Sequence, residues 1–150
     1  MESWQSNQVR QATDAQASGS SLRVLVLDDE PSIRGLVRES LRRLGAEVTC
    51  TSEAEEALAM LEYRCFDVLV CDLKLGSPFR IEGLDLVSEA RYRVPQLGIV
   101  VHTGTTDEAV HHSCFSNGAD EVVLKSEPLA SLRAAVARAA CRQEESHVAS

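Results

Sequence analysis

Apolar residues fall into five short runs that alternate with stretches of helical periodicity. The runs lie at 22–27, 46–51, 66–72, 97–103 and 122–124, and their lengths are typical of β-strands. The run 66–72 has one polar residue, Asp67, before it ends at Asp72. Such a run is typical of a strand buried on both faces, as in a parallel sheet covered by helices. The first helical series after a run consists of Ile33, Leu36, Val37, Leu41 and Leu44.

Residues that favour the first or last positions of helices predict the helix boundaries. Pro31 suits the first turn of helix one, and Gly45 and Asn117-Gly118 suit the ends of helices one and four. Capping boxes are predicted at 52–55 and 105–108. Ser126 is expected to cap helix five, which should fade near Arg142.

Five strand–helix units in succession predict a doubly wound α/β domain with a parallel sheet. We expect this domain to cover residues 21–142. Residues 1–20 are polar and small, and we expect a disordered N-terminal arm there. Residues 143–150 are predicted to form a flexible, polar C-terminal tail.

The composition excludes several classes of protein. A net charge of −8 over 150 residues argues against nucleic-acid binding, which needs a basic face. No apolar run approaches the roughly 20 residues that cross a bilayer, and the N-terminus lacks the apolar segment of an export signal. The five cysteines are therefore expected to be reduced, in a cytoplasmic protein with no membrane partner.

Polar residues collect where the predicted strands end. Asp28 and Asp29 follow strand one, Asp72 ends strand three, and Thr103 and Lys125 end strands four and five. The carboxyl ends of parallel strands meet at one edge of the sheet, so three carboxylates should converge beside a hydroxyl and an ammonium. Oxygen ligands of this kind suit Mg²⁺.

These groups are equipped for phosphoryl transfer. The Asp72 carboxylate could attack phosphorus and form an aspartyl phosphate. The metal and Lys125 would neutralise charge on the phosphoryl oxygens, and Thr103 would donate a hydrogen bond to one of them.

The order of these groups along the chain resembles that in the receiver domain of response regulators in two-component systems. The matching positions are the acidic pair Asp28-Asp29 after strand one, Asp72 after strand three, Thr103-Gly104 after strand four and Lys125 after strand five. The resemblance covers residues 21–142. It implies a flavodoxin-like sheet of order 2-1-3-4-5 with five helices.

The resemblance also implies a role for each matching position. Asp72 would be the phosphoacceptor, with Thr103 and Lys125 contacting the phosphoryl group. Asp29, Asp72 and the main-chain carbonyl of Lys74 would ligate Mg²⁺, and Asp28 would reach it through water. The donor would be a sensor histidine kinase or a histidine phosphotransfer protein. The domain would catalyse only its own phosphorylation and dephosphorylation.

Further expectations concern output. Too few residues follow helix five for a DNA-binding module, so we expect a single-domain regulator whose helix 4–strand 5–helix 5 face contacts a protein target.

The chain departs from the family at three places. Val122 stands where an aromatic residue usually reports phosphorylation, so a switch must work through Thr103 and the loop before helix four. Ser126 replaces the proline that usually follows the lysine in a cis peptide, so a trans bond is expected. The loop 73–82 is about three residues longer than usual, at a rim where length is tolerated.

Three alternative functions stay open. A degenerate receiver would bind a partner without phosphorylation. This alternative stays open because Val122 replaces the aromatic residue that usually reports phosphorylation. A phosphatase with an aspartate nucleophile would need a general acid two residues after Asp72, where this chain has Lys74. The stretch 102–106 is similar to the FMN-phosphate loop of flavodoxins, but that loop follows strand one, which here ends in two carboxylates.

Overall fold

The structure is a computed structural model that describes residues 21–73 and 82–149. The predicted N-terminal arm and most of the long loop, including Lys74, lie outside the described residues. The strands are β1 Arg23–Leu27, β2 Glu47–Thr51, β3 Val68–Cys71, β4 Gly98–Thr103 and β5 Glu121–Leu124. The helices are α1 Pro31–Arg42, α2 Ala54–Tyr63, α3 Glu82–Arg93, α4 Glu108–Ser116 and α5 Leu129–Ala149.

The five strands form one parallel sheet in the order β2-β1-β3-β4-β5, which confirms the predicted topology. Every residue of the central strands β3 and β4 is buried, as their continuous apolar runs predict. The register pairs Leu27 with both Thr51 and Cys71, and Thr103 with Leu124. The polar residues that follow these positions therefore lie along one edge of the sheet.

Alternation along the strands divides the core into two layers. Leu25, Leu69 and Ile99 point to one face of the sheet, where they pack with residues of α2, α3 and α4. Val26 and Val100 point to the other face, where they pack with residues of α1 and α5. The helices thus cover both faces, because successive side chains of a strand point to opposite sides.

Both predicted capping boxes are wrong, because nearby side chains satisfy the helix ends differently. Helix α2 begins after Glu53, whose N–H donates to the Thr51 hydroxyl, and that hydroxyl also bonds Glu56. Helix α4 begins after Asp107, whose carboxylate accepts the N–H of Ala109 at 2.9 Å. Asp is a stronger N-cap than Thr, so the helix starts at the aspartate.

The predicted ends of α1 and α4 are confirmed. Gly45 and Gly118 have φ of 75° and 119°, the left-handed conformation that follows many helices.

Helix α5 differs from prediction at both ends. Ser126 does not cap it, because residues 124–127 form a turn closed by Glu127 and the helix begins at Leu129, after Pro128. The backbone stays helical to Ala149 because residues 142–149 contain neither Gly nor Pro.

No peptide bond among the described residues is cis, which agrees with the expectation for Ser126. None of the helices in the described ranges is long and apolar enough to span a membrane.

Candidate functional site

Three aspartates meet at the carboxyl edge of the sheet. The strand pairing continues one residue past the strands, since Asp72 N–H donates to Leu27 O at 3.0 Å and Asp28 N–H donates to Thr51 O at 3.2 Å. These bonds hold the two aspartates at the ends of neighbouring strands. One carboxylate oxygen from each of Asp28, Asp29 and Asp72 lies within 4.8 Å of the others. Asp28 and Asp72 are buried, and Asp29 is exposed.

The ammonium group of Lys125 joins this cluster from β5. The Lys125 N–H donates to Thr103 O at 2.7 Å, which holds the residue beside the end of β4. Its Nζ lies 3.0 Å from both Asp28 Oδ2 and Asp72 Oδ2, and 3.4 Å from Glu30 Oε1. The buried carboxylates are therefore compensated by a cation, as buried charges must be.

The pKa values in the site follow from burial and this pairing. Burial raises the pKa of Asp28, although the Glu30 N–H at 3.0 Å and Lys125 act in the opposite direction. Burial opposes the charged form of Lys125, but its bonds to Asp72 and Asp28 outweigh this and raise the Lys125 pKa. Lys125 is consequently a cation throughout the neutral range.

A series of side-chain bonds links the end of β4 to α4. The Thr103 hydroxyl, which is buried, accepts the N–H of Thr105, and the Thr105 hydroxyl accepts the N–H of Asp107, each at 3.2 Å. Asp107 in turn caps α4. The His111 Nε2–H donates to Thr105 O at 2.7 Å and fastens the middle of the loop to the helix. Movement of the Thr103 hydroxyl would therefore disturb the first turn of α4.

The aspartate cluster fits a hard divalent cation. Oxygens on opposite sides of Mg²⁺ stand about 4 Å apart, so separations up to 4.8 Å close with small side-chain rotations. All the donors are carboxylate oxygens, the ligand type that Mg²⁺ prefers. Asp28, Asp29 and Asp72 are thus the described residues that could hold the ion.

Most of the predicted site residues are brought together. Asp28, Asp29, Asp72 and Lys125 form one cluster, and Thr103 lies at the same sheet edge. The role predicted for the Lys74 carbonyl falls outside the described residues.

Two residues at this edge were not assigned a role from the sequence. Glu30 could have been noticed as the third acid in the run after strand one. His111 carries no sequence signal beyond its place on the first turns of α4. Val122, which stands where receiver domains usually have an aromatic residue, is half-buried. It packs against the core layer that contains Leu25, Leu69 and Ile99.

Comparisons with known proteins agree with this geometry. The profile of the response regulator receiver domain matches residues 24–137. The transcriptional regulatory protein AruR of Pseudomonas aeruginosa is 37% identical in an alignment of 109 positions that covers 69% of this chain and 43% of AruR. The chain spans less than half the length of the curated relatives it matches.

Solved structures show the same fold. A CheY-like receiver domain protein from Methanospirillum hungatei superposes with a TM-score of 0.76 at 26% identity, over 85% of this chain and 99% of that one. A response regulator from Burkholderia pseudomallei, solved with a phosphorylated aspartic acid, calcium ion and citrate, gives a TM-score of 0.70 at 28% identity, over 85% of this chain and 74% of that one. The chain therefore belongs to the response regulator receiver domain family, the signalling modules of two-component systems.

Proposed function

We propose that this receiver domain accepts a phosphoryl group on Asp72 from the phosphohistidine of a sensor histidine kinase or a histidine phosphotransfer protein. The observation that carries the proposal is the placement of Lys125 Nζ 3.0 Å from both Asp72 and Asp28, beside Asp29. The Burkholderia pseudomallei relative, with its phosphorylated aspartic acid and calcium ion, supports it. All five cysteines are free thiols, which favours a cytoplasmic setting.

The chain's own groups divide the chemistry between them. An Asp72 carboxylate oxygen attacks phosphorus, and the bond from phosphorus to the donor imidazole nitrogen breaks with its electron pair on nitrogen. Lys125 neutralises charge that develops on the phosphoryl oxygens, and the Thr103 hydroxyl donates a hydrogen bond to one of them. Hydrolysis of the acyl phosphate returns Asp72 to its starting state, so the domain acts on itself alone and turns over no separate substrate.

Asp28, Asp29 and Asp72, with the main-chain carbonyl of Lys74, would hold Mg²⁺. When bound, Mg²⁺ neutralises part of the phosphoryl group's negative charge. The carboxylate cluster, with all its donor oxygens within 4.8 Å, is the support for this assignment.

The signal would leave through α4, β5 and α5. If the Thr103 hydroxyl turns toward a phosphoryl group, its hydrogen bond from the Thr105 N–H breaks. Because the Thr105 hydroxyl accepts the N–H of Asp107, the N-cap of α4, this change would reach α4. A protein target that prefers one arrangement of this face would then bind with an affinity set by phosphorylation.

Val122 favours a second candidate function, a receiver that binds its partner independently of phosphorylation. With no aromatic side chain there, one usual element of the switch is missing. The two candidates differ in whether a phosphoryl mimic changes target affinity.

Phosphorylation by a small donor tests the proposal. Wild type incubated with acetyl phosphate and Mg²⁺ should gain the mass of one phosphoryl group, and the gain should be lost on brief alkaline treatment because acyl phosphates hydrolyse. Asp72→Ala, or wild type with a chelator, should gain none. Equal labelling of Asp72→Ala would refute the proposal. A yellow colour of the purified protein would instead indicate that it binds FMN. Multiple turnover of a generic phosphomonoester would instead indicate a phosphatase.

A further inference from the structure

Glu30 occupies a helix N-cap without performing the cap's usual role. It precedes Pro31, which requires an extended residue before it, and its φ of −93° and ψ of 113° satisfy this. Ser, Thr, Asp and Asn are preferred at this position because their short side chains reach the first turn. The Glu30 side chain makes no such bond to the described residues of α1.

The Glu30 side chain reaches across the sheet edge instead. Its Oε1 lies 3.4 Å from Lys125 Nζ, a contact between residues 95 apart in sequence. Its backbone is fixed from both sides, since the N–H donates to Asp28 Oδ1 and the carbonyl accepts the Arg34 N–H, each at 3.0 Å. The carboxylate is therefore held at the solvent side of the site, where the side chain is 60% exposed.

Lys125 thus has three carboxylate partners, which differ in their proposed roles in the site. Asp28 and Asp72 belong to the cluster that fits a cation, and Asp72 is the proposed phosphoacceptor. Glu30 lies outside that cluster. Of the three partners of Lys125, Glu30 is the one whose oxygens neither the metal nor the phosphoryl group would engage.

We propose that Glu30 is a positioning residue that holds the Lys125 ammonium at the mouth of the site and competes with an incoming phosphoryl group for it. The inference rests on the proposed function. Glu30 would then partly determine the rate at which Asp72 is phosphorylated. Loss of the contact frees Lys125 for the phosphoryl oxygens, so phosphorylation becomes faster.

The reaction with acetyl phosphate measures this competition. A bond forms between an Asp72 oxygen and phosphorus, the bond from phosphorus to the acetyl oxygen breaks, and acetate leaves with the electron pair. An exposed ion pair modulates an equilibrium by a small factor, so the expected acceleration is about two- to fivefold.

Two substitutions separate the contact from the charge. Glu30→Gln removes the charge, whereas Glu30→Asp keeps it but shortens the side chain by one methylene, which breaks a contact already 3.4 Å long. Both variants should be phosphorylated about two- to fivefold faster than wild type at subsaturating acetyl phosphate. Glu53→Gln is the matched control, because Glu53 is an exposed carboxylate after β2 at the same sheet edge. Its rate should equal that of wild type.

Binding of beryllofluoride, a mimic of the phosphoryl group, provides a second readout. Fluorine NMR in the presence of Mg²⁺ should show half-saturation at about two- to fivefold lower beryllofluoride for both Glu30 variants. A purely structural effect of Glu30 would lower the melting temperature without this gain in affinity.

Three results would overturn the inference: a Glu30→Asp rate equal to wild type, slower phosphorylation of both variants, or an equal acceleration in Glu53→Gln. The first would mean that the negative charge itself repels the donor. Failure of the proposed function looks different, because wild type would then gain no phosphoryl group at all. If wild type and every variant are phosphorylated at one rate, the inference about Glu30 alone is wrong.

Discussion

Lys125 stabilises the site before any phosphoryl group arrives. Two buried carboxylates, Asp28 and Asp72, lie on neighbouring strand ends and would repel each other without a counter-ion. The ammonium supplies that counter-ion, so the residue proposed to contact the phosphoryl group also reduces the repulsion between the two carboxylates.

Removal of Lys125 should therefore change divalent-ion binding. In Lys125→Ala the ammonium no longer competes for Asp28 and Asp72 oxygens, so Mg²⁺ should bind more tightly, by about three- to tenfold. Calorimetric titration measures the affinity. Lys125→Arg keeps the positive charge and should bind Mg²⁺ about as wild type does. Weaker binding in Lys125→Ala would show that the lysine organises the ligands rather than competing with the ion.

His102 should make the fold sensitive to mild acid. The imidazole is buried in β4, and burial, with the nearby charge of Lys125, lowers its pKa from 6.5 to about 4 despite the opposing charges of Asp72 and Glu127. The unfolded chain binds this proton below pH 6.5, whereas the folded protein binds it only near pH 4. The stabilisation is therefore complete above the unfolded pKa and is lost as the pH falls through this window.

Urea unfolding at two pH values tests this residue. Between about pH 7.5 and about pH 5, wild type should lose about 2 kcal/mol of unfolding free energy through His102. His102→Gln, which cannot be protonated, should lose about 2 kcal/mol less over the same interval. If the two proteins show the same pH dependence, the imidazole is protonated in the folded state at mild acid pH.

Among the secondary-structure elements, the end of α3 is bonded through one arginine to the segments that lead into β4 and β5. The Arg91 guanidinium donates to Gly118 O at 2.8 and 3.1 Å, to Leu97 O at 2.6 Å and to Asp120 Oδ2 at 2.9 Å. Because these acceptors are buried or half-buried backbone and carboxylate groups, Arg91→Ala should reduce the unfolding free energy by about 2–4 kcal/mol.

Arg93 is the matched control for Arg91. It lies two residues further along α3 and pairs with Glu89 and Glu62 near the surface. Arg93→Ala should change the unfolding free energy by less than about 1 kcal/mol. Equal losses in the two variants, measured by urea unfolding, would contradict the assignment of Arg91 as the link between these elements.

Two glycines should respond to alanine in opposite directions. A Cβ on Gly98 would lie 2.7 Å from Ala139 O, because the start of β4 passes directly against α5. Gly98→Ala should therefore destabilise the fold by about 1–3 kcal/mol. Gly35 lies inside α1 with nothing within 4 Å of the added carbon, so Gly35→Ala should stabilise it by about 0.5–1 kcal/mol. Melting temperatures that move in the same direction would contradict this packing.

The sequence predicted the strands better than the helix starts. The apolar runs identified β3 and β4 because strands buried on both faces carry apolar residues at consecutive positions. The start of α2 depends on Thr51, which belongs to the preceding strand. At the start of α4 the Thr105 hydroxyl accepts the N–H of Asp107, and the Asp107 carboxylate accepts the N–H of Ala109. Which of several neighbouring polar side chains caps a helix depends on geometry that the local pattern does not contain.

For the molecule as a whole, topology alone predicted which charged groups meet. Once the strand order is known, Asp28, Asp72 and Lys125 must lie at one edge, although 53 residues separate the last two. The contact of Glu30 with Lys125 could not be predicted, because it depends on side-chain conformations rather than on strand order. Likewise, the target of the proposed α4–β5–α5 face could not be predicted, because partner identity lies in surface chemistry rather than in the sheet.

Asp72 is the proposed phosphoacceptor, and mapping the modified residue tests that role directly. After reaction with acetyl phosphate and Mg²⁺, borohydride reduces an aspartyl phosphate to homoserine, which peptide mass spectrometry can locate. Homoserine should appear at position 72 and at no other aspartate, including Asp28 and Asp29. Homoserine at another position, or unchanged Asp72 in protein that has gained phosphate, would contradict the account.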